Sequence, residues 1–134
     1  MTRFDSILGN DKEIVKSKKL KLILDDEDEI LDSISTGMLE NNLIKVKLES
    51  IEGTLLEGKI LEDRTGEKIN VSNKGIISAN GTFSLTNGDL WGTLSIFIDK
   101  VKPITGKLIK GTAKNGTEIV LSFEDKDIKK PSKI

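Results

Sequence analysis

Five consecutive acidic residues, Asp25 to Glu29, form the densest cluster of chemically useful groups in this chain. Hard cations such as Ca²⁺ need several carboxylate oxygens, so the cluster is a candidate cation site. Its spacing is not that of an EF-hand loop, because Ile30 occupies the place of the obligatory glycine and Thr36 that of the bidentate glutamate. Acidic residues are also favoured where a helix begins. We therefore interpret the cluster as a solvated helix start and predict no metal site.

The residue types that are missing restrict the chemistry further. The 134 residues include no histidine, no cysteine and no tyrosine. A Ser-His-Asp triad, a cysteine nucleophile, a thiolate or imidazole zinc site and a disulfide framework are therefore excluded. Carboxylates, lysines and hydroxyls remain, but this one small chain would have to supply a cleft as well as the reacting groups. We expect a protein that is not an enzyme and that binds no cofactor.

Lysine dominates the basic side chains, since only Arg3 and Arg64 of the 21 are arginine. The formal net charge is −1, yet residues 100–134 carry 9 basic and 4 acidic side chains. Paired hydrogen bonds to phosphate or guanine favour arginine, whereas lysine holds phosphate without sequence specificity. We therefore expect nucleic-acid binding to be absent or nonspecific, and to collapse between about 50 and 200 mM salt.

Apolar and aromatic side chains supply the candidate partner-binding residues. Trp91 and Phe97 fall on one side of an alternating segment, Leu90 to Val101, that is predicted to form one strand with large hydrophobic residues on both faces. That side either packs in the core, which is the favoured interpretation, or forms a contact patch, because aromatic residues are enriched at interfaces. We keep Trp91 and Phe97 as candidate partner-binding residues.

The N-terminal segment supplies three more candidates. Phe4, Ile7 and Leu8 recur at helical spacing, so they could present one small apolar face to a partner. Three such side chains offer only about 5 to 8 kcal/mol of gross burial before the cost of ordering. We predict that Met1 to Lys18 is a docking arm. The alternative is that Phe4 and Ile7 complete the core of the domain itself.

The elements that position these residues follow from the hydrophobic pattern. A strand from Lys19 to Leu24 is predicted before a short helix from Glu27 to Thr36, which Gly37 would cap. From residue 42 onward apolar and polar residues alternate, beginning with Ile44. Further strands are predicted at Thr54 to Glu62, Lys68 to Ser72, Thr82 to Thr86, Leu90 to Val101, Gly106 to Lys110 and Glu118 to Phe123. Turns are predicted at Asn80-Gly81, Asn87-Gly88, Asn115-Gly116 and Thr65-Gly66.

Strands this close together leave no room for crossover helices, so the predicted sheet is antiparallel. The fold class is mainly β, a small antiparallel β-sandwich or barrel with hairpin connections and one short helix near the N-terminus. We expect an N-terminal arm with a short strand and helix (1–40), an antiparallel β domain (41–124) and a polar C-terminal tail (125–134).

Two functions are compatible with this pattern. The favoured one is a non-enzymatic structural or interaction module that docks into a larger homo- or hetero-oligomeric assembly. A phage virion component such as a capsid decoration, neck or tail protein would fit the lysine-rich, arginine-poor composition. The alternative is an OB-like or SH3-like barrel that binds single-stranded nucleic acid. We predict a cytoplasmic or virion location and no membrane partner, because charged residues occupy the place of a signal peptide's apolar region.

Overall fold

The computed structural model describes residues 17–129, which form eight strands, one α-helix and a 3-10 turn. The strands are β1 (Lys18–Ile23), β2 (Lys45–Glu52), β3 (Thr54–Glu62), β4 (Lys68–Thr86), β5 (Asp89–Gly92), β6 (Ser95–Ile98), β7 (Ile104–Ala113) and β8 (Glu118–Phe123). The helix α1 spans Ile30–Glu40, and the 3-10 turn spans Asp125–Asp127. Strands make up 61% and helices 12%, which confirms the mainly β, antiparallel prediction.

Two antiparallel sheets share the 19-residue strand β4. Its C-terminal part pairs with β2 and β5, and β2 continues through β8 to β1; we call this sheet A. Its N-terminal and central parts pair with β3 and β6, which are joined through β7; we call this sheet B. Because β6 pairs with both β7 and β4, the four strands of sheet B close on themselves. The fold is therefore a small closed barrel that extends into an open sheet.

The helix covers the inner side of this arrangement. Ile30, Ile34 and Met38 are fully buried, one helical turn apart, and α1 packs on β7 and β1. Gly37 allows a close approach, because a Cβ there would lie 2.9 Å from a methyl group of Leu22. Among residues 17–129, no helix has the length and apolarity needed to cross a bilayer.

The strand and helix assigned to an N-terminal arm are built into this domain. β1 pairs with β8 along all six residues, close to the predicted Lys19 to Leu24. The helix runs from Ile30 to Glu40 and not from Glu27 to Thr36, because Gly37 serves packing inside the helix and does not end it. The start of the expected C-terminal tail is also bound, since Ile128 forms a β-bridge with Leu43.

Two predicted features of the strands were wrong. Asn80-Gly81 is not a turn but lies inside β4, which unites the predicted strands Lys68 to Ser72 and Thr82 to Thr86. The predicted strand Leu90 to Val101 is broken after Gly92, whose φ of 136° belongs to the region that favours glycine. β5 consequently pairs in sheet A and β6 in sheet B.

The predicted turns had different outcomes. Asn87-Gly88 has two left-handed residues, with φ of 53° and 82°, and joins the paired strands β4 and β5. Thr65-Gly66 joins the paired strands β3 and β4. Asn115-Gly116 instead connects β7 to β8, which belong to different sheets.

Candidate interaction surface

Trp91 lies on the outer face of sheet A and is 63% exposed. The register places it opposite Ser84 of β4, which faces Lys45 of β2 on its other side. The neighbouring row, which contains Val46, Phe83 and Gly92, points into the core because sheet side chains alternate. The favoured sequence interpretation, core packing, is therefore wrong for Trp91.

Phe97 lies on a different part of the surface. It is half-buried in β6, opposite Ser78 of β4 and Thr105 of β7. Six residues of β4 separate Ser78 from Ser84, which is about 20 Å along an extended strand. Trp91 and Phe97 therefore do not form one compact patch. The other candidates, Phe4, Ile7 and Leu8, lie outside the described residues.

An apolar groove opens at the end of sheet A, where the end of α1 and the start of β2 meet the β4–β5 turn. Its volume is ≈ 520 Å³. We call it the end groove, and its apolar walls are Met38, Leu39, Leu43, Ile44 and Leu85, with the Asn87-Gly88 turn at its rim. Leu39 is 56% and Ile44 42% exposed. Sequence analysis missed this groove because the helix was predicted to end at Thr36, before Leu39.

Carboxylates of the acidic cluster accept hydrogen bonds from backbone N–H groups. Glu29 is the N-cap of α1: one carboxylate oxygen accepts from the Asp32 N–H at 2.9 Å and the other from the Gly111 N–H of β7 at 3.0 Å. The Asp26 carboxylate accepts from the Asn115 N–H at 2.6 Å. Within residues 17–129, no group of three acidic side chains is arranged to hold a metal ion. These carboxylates fasten the helix start to the end of β7.

Four lysines project from the outer face of sheet A. Lys19 and Lys21 belong to β1, and Lys45 and Lys47 belong to β2. Lys19 and Lys47 flank Ser122 of β8 in the same row. Lysines two residues apart on a strand are separated by about 7 Å. We call these four residues the lysine face.

The lysine face also contains carboxylates. The Ser122 hydroxyl donates to the Glu49 carboxylate at 2.6 Å. This hydrogen bond lowers the pKa of Glu49, with smaller contributions from Lys47 and Lys19, while partial desolvation opposes the shift. Lys21 also pairs with Glu118 of β8 at 3.4 Å. Glu49 therefore stays ionised at neutral pH, and the face carries mixed charge.

A second groove runs beside β1. Its volume is ≈ 600 Å³, and it lies between the outermost strand of sheet A and α1. Asp32, Thr36 and Glu40 recur every fourth residue along α1 and line it together with Glu27 and Asp28. We call it the acidic groove. The spacing of Asp32, Thr36 and Glu40 at every fourth residue was visible in the sequence. Nothing in the sequence showed that the strand beside them would lie at the edge of a sheet.

Comparisons with known proteins establish the fold. No family model matches the chain, and no curated protein matches it significantly. A hypothetical protein from Salmonella enterica has a similar structure, with a TM-score of 0.70 and 18% identity over 84% of this chain and 81% of that one. A plant- and prokaryote-conserved (PPC) protein from Pyrococcus horikoshii is also similar, with a TM-score of 0.67 and 20% identity over 92% of this chain and 87% of that one.

A candidate DNA-binding protein from Ralstonia eutropha JMP134 is also similar, with a TM-score of 0.65 and 13% identity over 78% of this chain and 76% of that one. Sequence identities this low support a shared fold and leave the function to be argued from the surface of this chain.

Proposed function

We propose that this chain is a non-enzymatic interaction module that docks into a larger oligomeric assembly. The exposed indole of Trp91 carries this proposal, since this large side chain lies on the outer face of sheet A and is 63% exposed. Tryptophan is enriched among residues that dominate binding energy. Removing its exposed surface from water would contribute about 3 kcal/mol of gross burial.

We propose that the assembly is a phage virion. In it, this chain would serve as a capsid decoration, neck or tail protein. Support comes from the composition, in which 2 of 21 basic residues are arginine, as is typical of AT-rich bacteria and their phages. The corresponding location is the virion, or the cytoplasm in which it assembles.

Sedimentation equilibrium over a range of concentrations tests the docking role. We expect the wild-type chain to self-associate and Trp91→Ser to weaken association about tenfold or more. Val101→Ser is the matched control, because Val101 is 94% exposed in the loop between β6 and β7, away from sheet A. Association that is equally strong in both variants, or a wild-type chain that stays monomeric, would count against the proposal.

Nonspecific binding of single-stranded nucleic acid is the second candidate function, and the lysine face favours it. Lys45 lies in the same row as Trp91, so a base could stack on the indole while the lysines contact phosphates. The mixed charge of the face keeps this candidate second.

Fluorescence anisotropy with an oligothymidine of about 20 nucleotides tests the nucleic-acid function, at a length that covers one typical site. Replacing Lys45 and Lys47 by alanine should abolish binding at 50 mM salt, whereas replacing Lys100 and Lys102 in the β6–β7 loop should not. Binding should disappear by about 200 mM salt because of counterion release. Sequence-selective binding that persists at 200 mM would instead favour a dedicated nucleic-acid barrel.

A further inference from the structure

Three Asn-Gly pairs occur in the chain, at residues 80–81, 87–88 and 115–116. An asparagine followed by glycine can react with its own backbone. The glycine amide nitrogen attacks the asparagine Cγ and closes a succinimide ring, and the missing Cβ of glycine leaves room for this attack. Because each asparagine precedes a glycine, the three pairs have similar intrinsic reactivity. The surrounding structure then determines how fast each one reacts.

The reaction consumes one water molecule and releases one ammonia. As the new bond from the glycine nitrogen to Cγ forms, the bond from Cγ to Nδ2 breaks, and the side-chain nitrogen leaves as ammonia with the proton of the glycine N–H. Water then opens the ring. Opening at Cγ gives aspartate, whereas opening at the backbone carbonyl carbon gives isoaspartate, in which the main chain continues through Cβ and Cγ.

The Asn80-Gly81 pair is protected inside β4. The Leu85 N–H of β4 donates to the Ile44 carbonyl at 2.9 Å, just before β2. Alternate residues of an antiparallel strand direct their backbone groups to the same side, so Gly81 directs its N–H to Leu48, its partner in the register. Attack by the Gly81 nitrogen therefore requires β4 to separate from β2.

The Asn115-Gly116 pair is protected by tertiary hydrogen bonds. The Gly116 N–H donates to the Leu24 carbonyl at 2.9 Å. The Asn115 N–H donates to the Asp26 carboxylate at 2.6 Å, which fixes the other half of the pair. Attack by the Gly116 nitrogen must break the bond to Leu24 and loosen the connection between β7 and β8.

The Asn87-Gly88 pair has neither form of protection. Both residues are exposed and form the two-residue loop between β4 and β5. Among residues 17–129, the Gly88 N–H donates to no backbone carbonyl. Movement of its nitrogen onto the Asn87 Cγ needs only a local opening at the tip of the hairpin. We propose that Asn87 is a site of spontaneous deamidation, which proceeds in the folded protein while Asn80 and Asn115 are protected.

Deamidation of Asn87 alters the strand that carries Trp91. Both products add a negative charge at the rim of the end groove, beside Asp89. Isoaspartate also adds a carbon atom to the backbone of a loop whose length sets the register of the hairpin. β5 has four residues and, within the described part of the chain, pairs with β4 alone. The isoaspartyl product should therefore loosen β5 and change the environment of Trp91.

Peptide mapping by mass spectrometry of the full chain, incubated at mildly alkaline pH, tests the site. We expect Asn87 to convert at least about tenfold faster than Asn80 or Asn115, because every tenfold of protection corresponds to about 1.4 kcal/mol of opening free energy. In concentrated guanidinium chloride the three should convert at similar rates. Equal rates in the folded chain would overturn the proposal. A preference for Asn87 that persists in the denaturant would also overturn it, because local sequence would then set the rate.

Tryptophan fluorescence follows the consequence for β5, since Trp91 is the one tryptophan in the chain. The emission of the wild type should change in step with the conversion of Asn87 to isoaspartate. Asn87→Gly is the matched control, because Gly-Gly suits the same left-handed loop and cannot form the ring. Its emission should stay constant over the same incubation. Conversion of Asn87 without a change in emission would overturn the inferred effect on β5.

Discussion

At the scale of single residues, Glu29 joins two elements that are distant in sequence. Its carboxylate caps α1 through Asp32 and accepts from Gly111 of β7. We expect Glu29→Ala to lower the free energy of unfolding by about 1 to 3 kcal/mol, because two backbone N–H groups lose their acceptor. Glu29→Gln keeps one oxygen acceptor and should lose less. Urea denaturation monitored by circular dichroism measures both changes.

Glu40 at the other end of α1 provides the control. It is an exposed acidic residue in the last turn, where the helix dipole disfavours negative charge. Glu40→Ala should therefore leave the stability unchanged or slightly higher. Equal losses in the Glu29 and Glu40 variants would show that the cap and the contact with β7 contribute nothing specific.

The role of the acidic cluster was only partly visible in the sequence. Residue type indicated a helix start, and Glu29 does cap one. The partners Gly111 and Asn115 are 82 and 89 residues away from the carboxylates they bind. No local pattern links residues at that separation, so the tie to β7 required the tertiary structure.

At the scale of elements, the break between β5 and β6 depends on Gly92. Its φ of 136° is unfavourable for other residues, and a Cβ there would meet the Thr82 carbonyl oxygen. We expect Gly92→Ala to lower the free energy of unfolding by about 2 kcal/mol or more. Gly75→Ala is the control, since a Cβ at Gly75 meets nothing within 4 Å. Thermal and urea unfolding that responds equally to both substitutions would contradict this role.

Strands were predictable where apolar and polar residues alternate over a segment of ordinary strand length. The predicted bounds Thr54 to Glu62 and Glu118 to Phe123 match β3 and β8. The unity of β4 was not predictable, because Asn80-Gly81 has the local preference of a tight turn. Gly81 is instead needed inside the strand, where a Cβ would meet the carbonyl oxygen of Thr93. Tertiary packing thus overrode turn propensity.

At the scale of the whole molecule, residues 17–129 contain eight hydrogen-bonded strands and a hydrophobic core. We expect deletion of residues 1–16 to leave the melting temperature of the monomer nearly unchanged, because residues 17–129 already supply a buried core and two sheets. Differential scanning calorimetry at low protein concentration measures it. A much lower melting temperature would show that Phe4 and Ile7 complete the core, which is the alternative noted from the sequence.

The interaction surface was predictable in residue type but not in arrangement. Trp91 was a candidate partner-binding residue because aromatic residues are enriched at interfaces. Its exposure, however, depends on which face of sheet A it occupies. Leu39 and Ile44 were not predicted as surface candidates. No local sequence pattern shows that the end of α1 and the start of β2 meet the β4–β5 turn.

The strand β4 has a consequence for how the protein opens. It supplies backbone hydrogen bonds to the closed barrel through β3 and β6 and to the open sheet through β2 and β5. Neither sheet can lose this strand without exposing the apolar interior of the other. The slowest-exchanging amide hydrogens of β2 and β3 should therefore be released together, in one cooperative event with a common free energy.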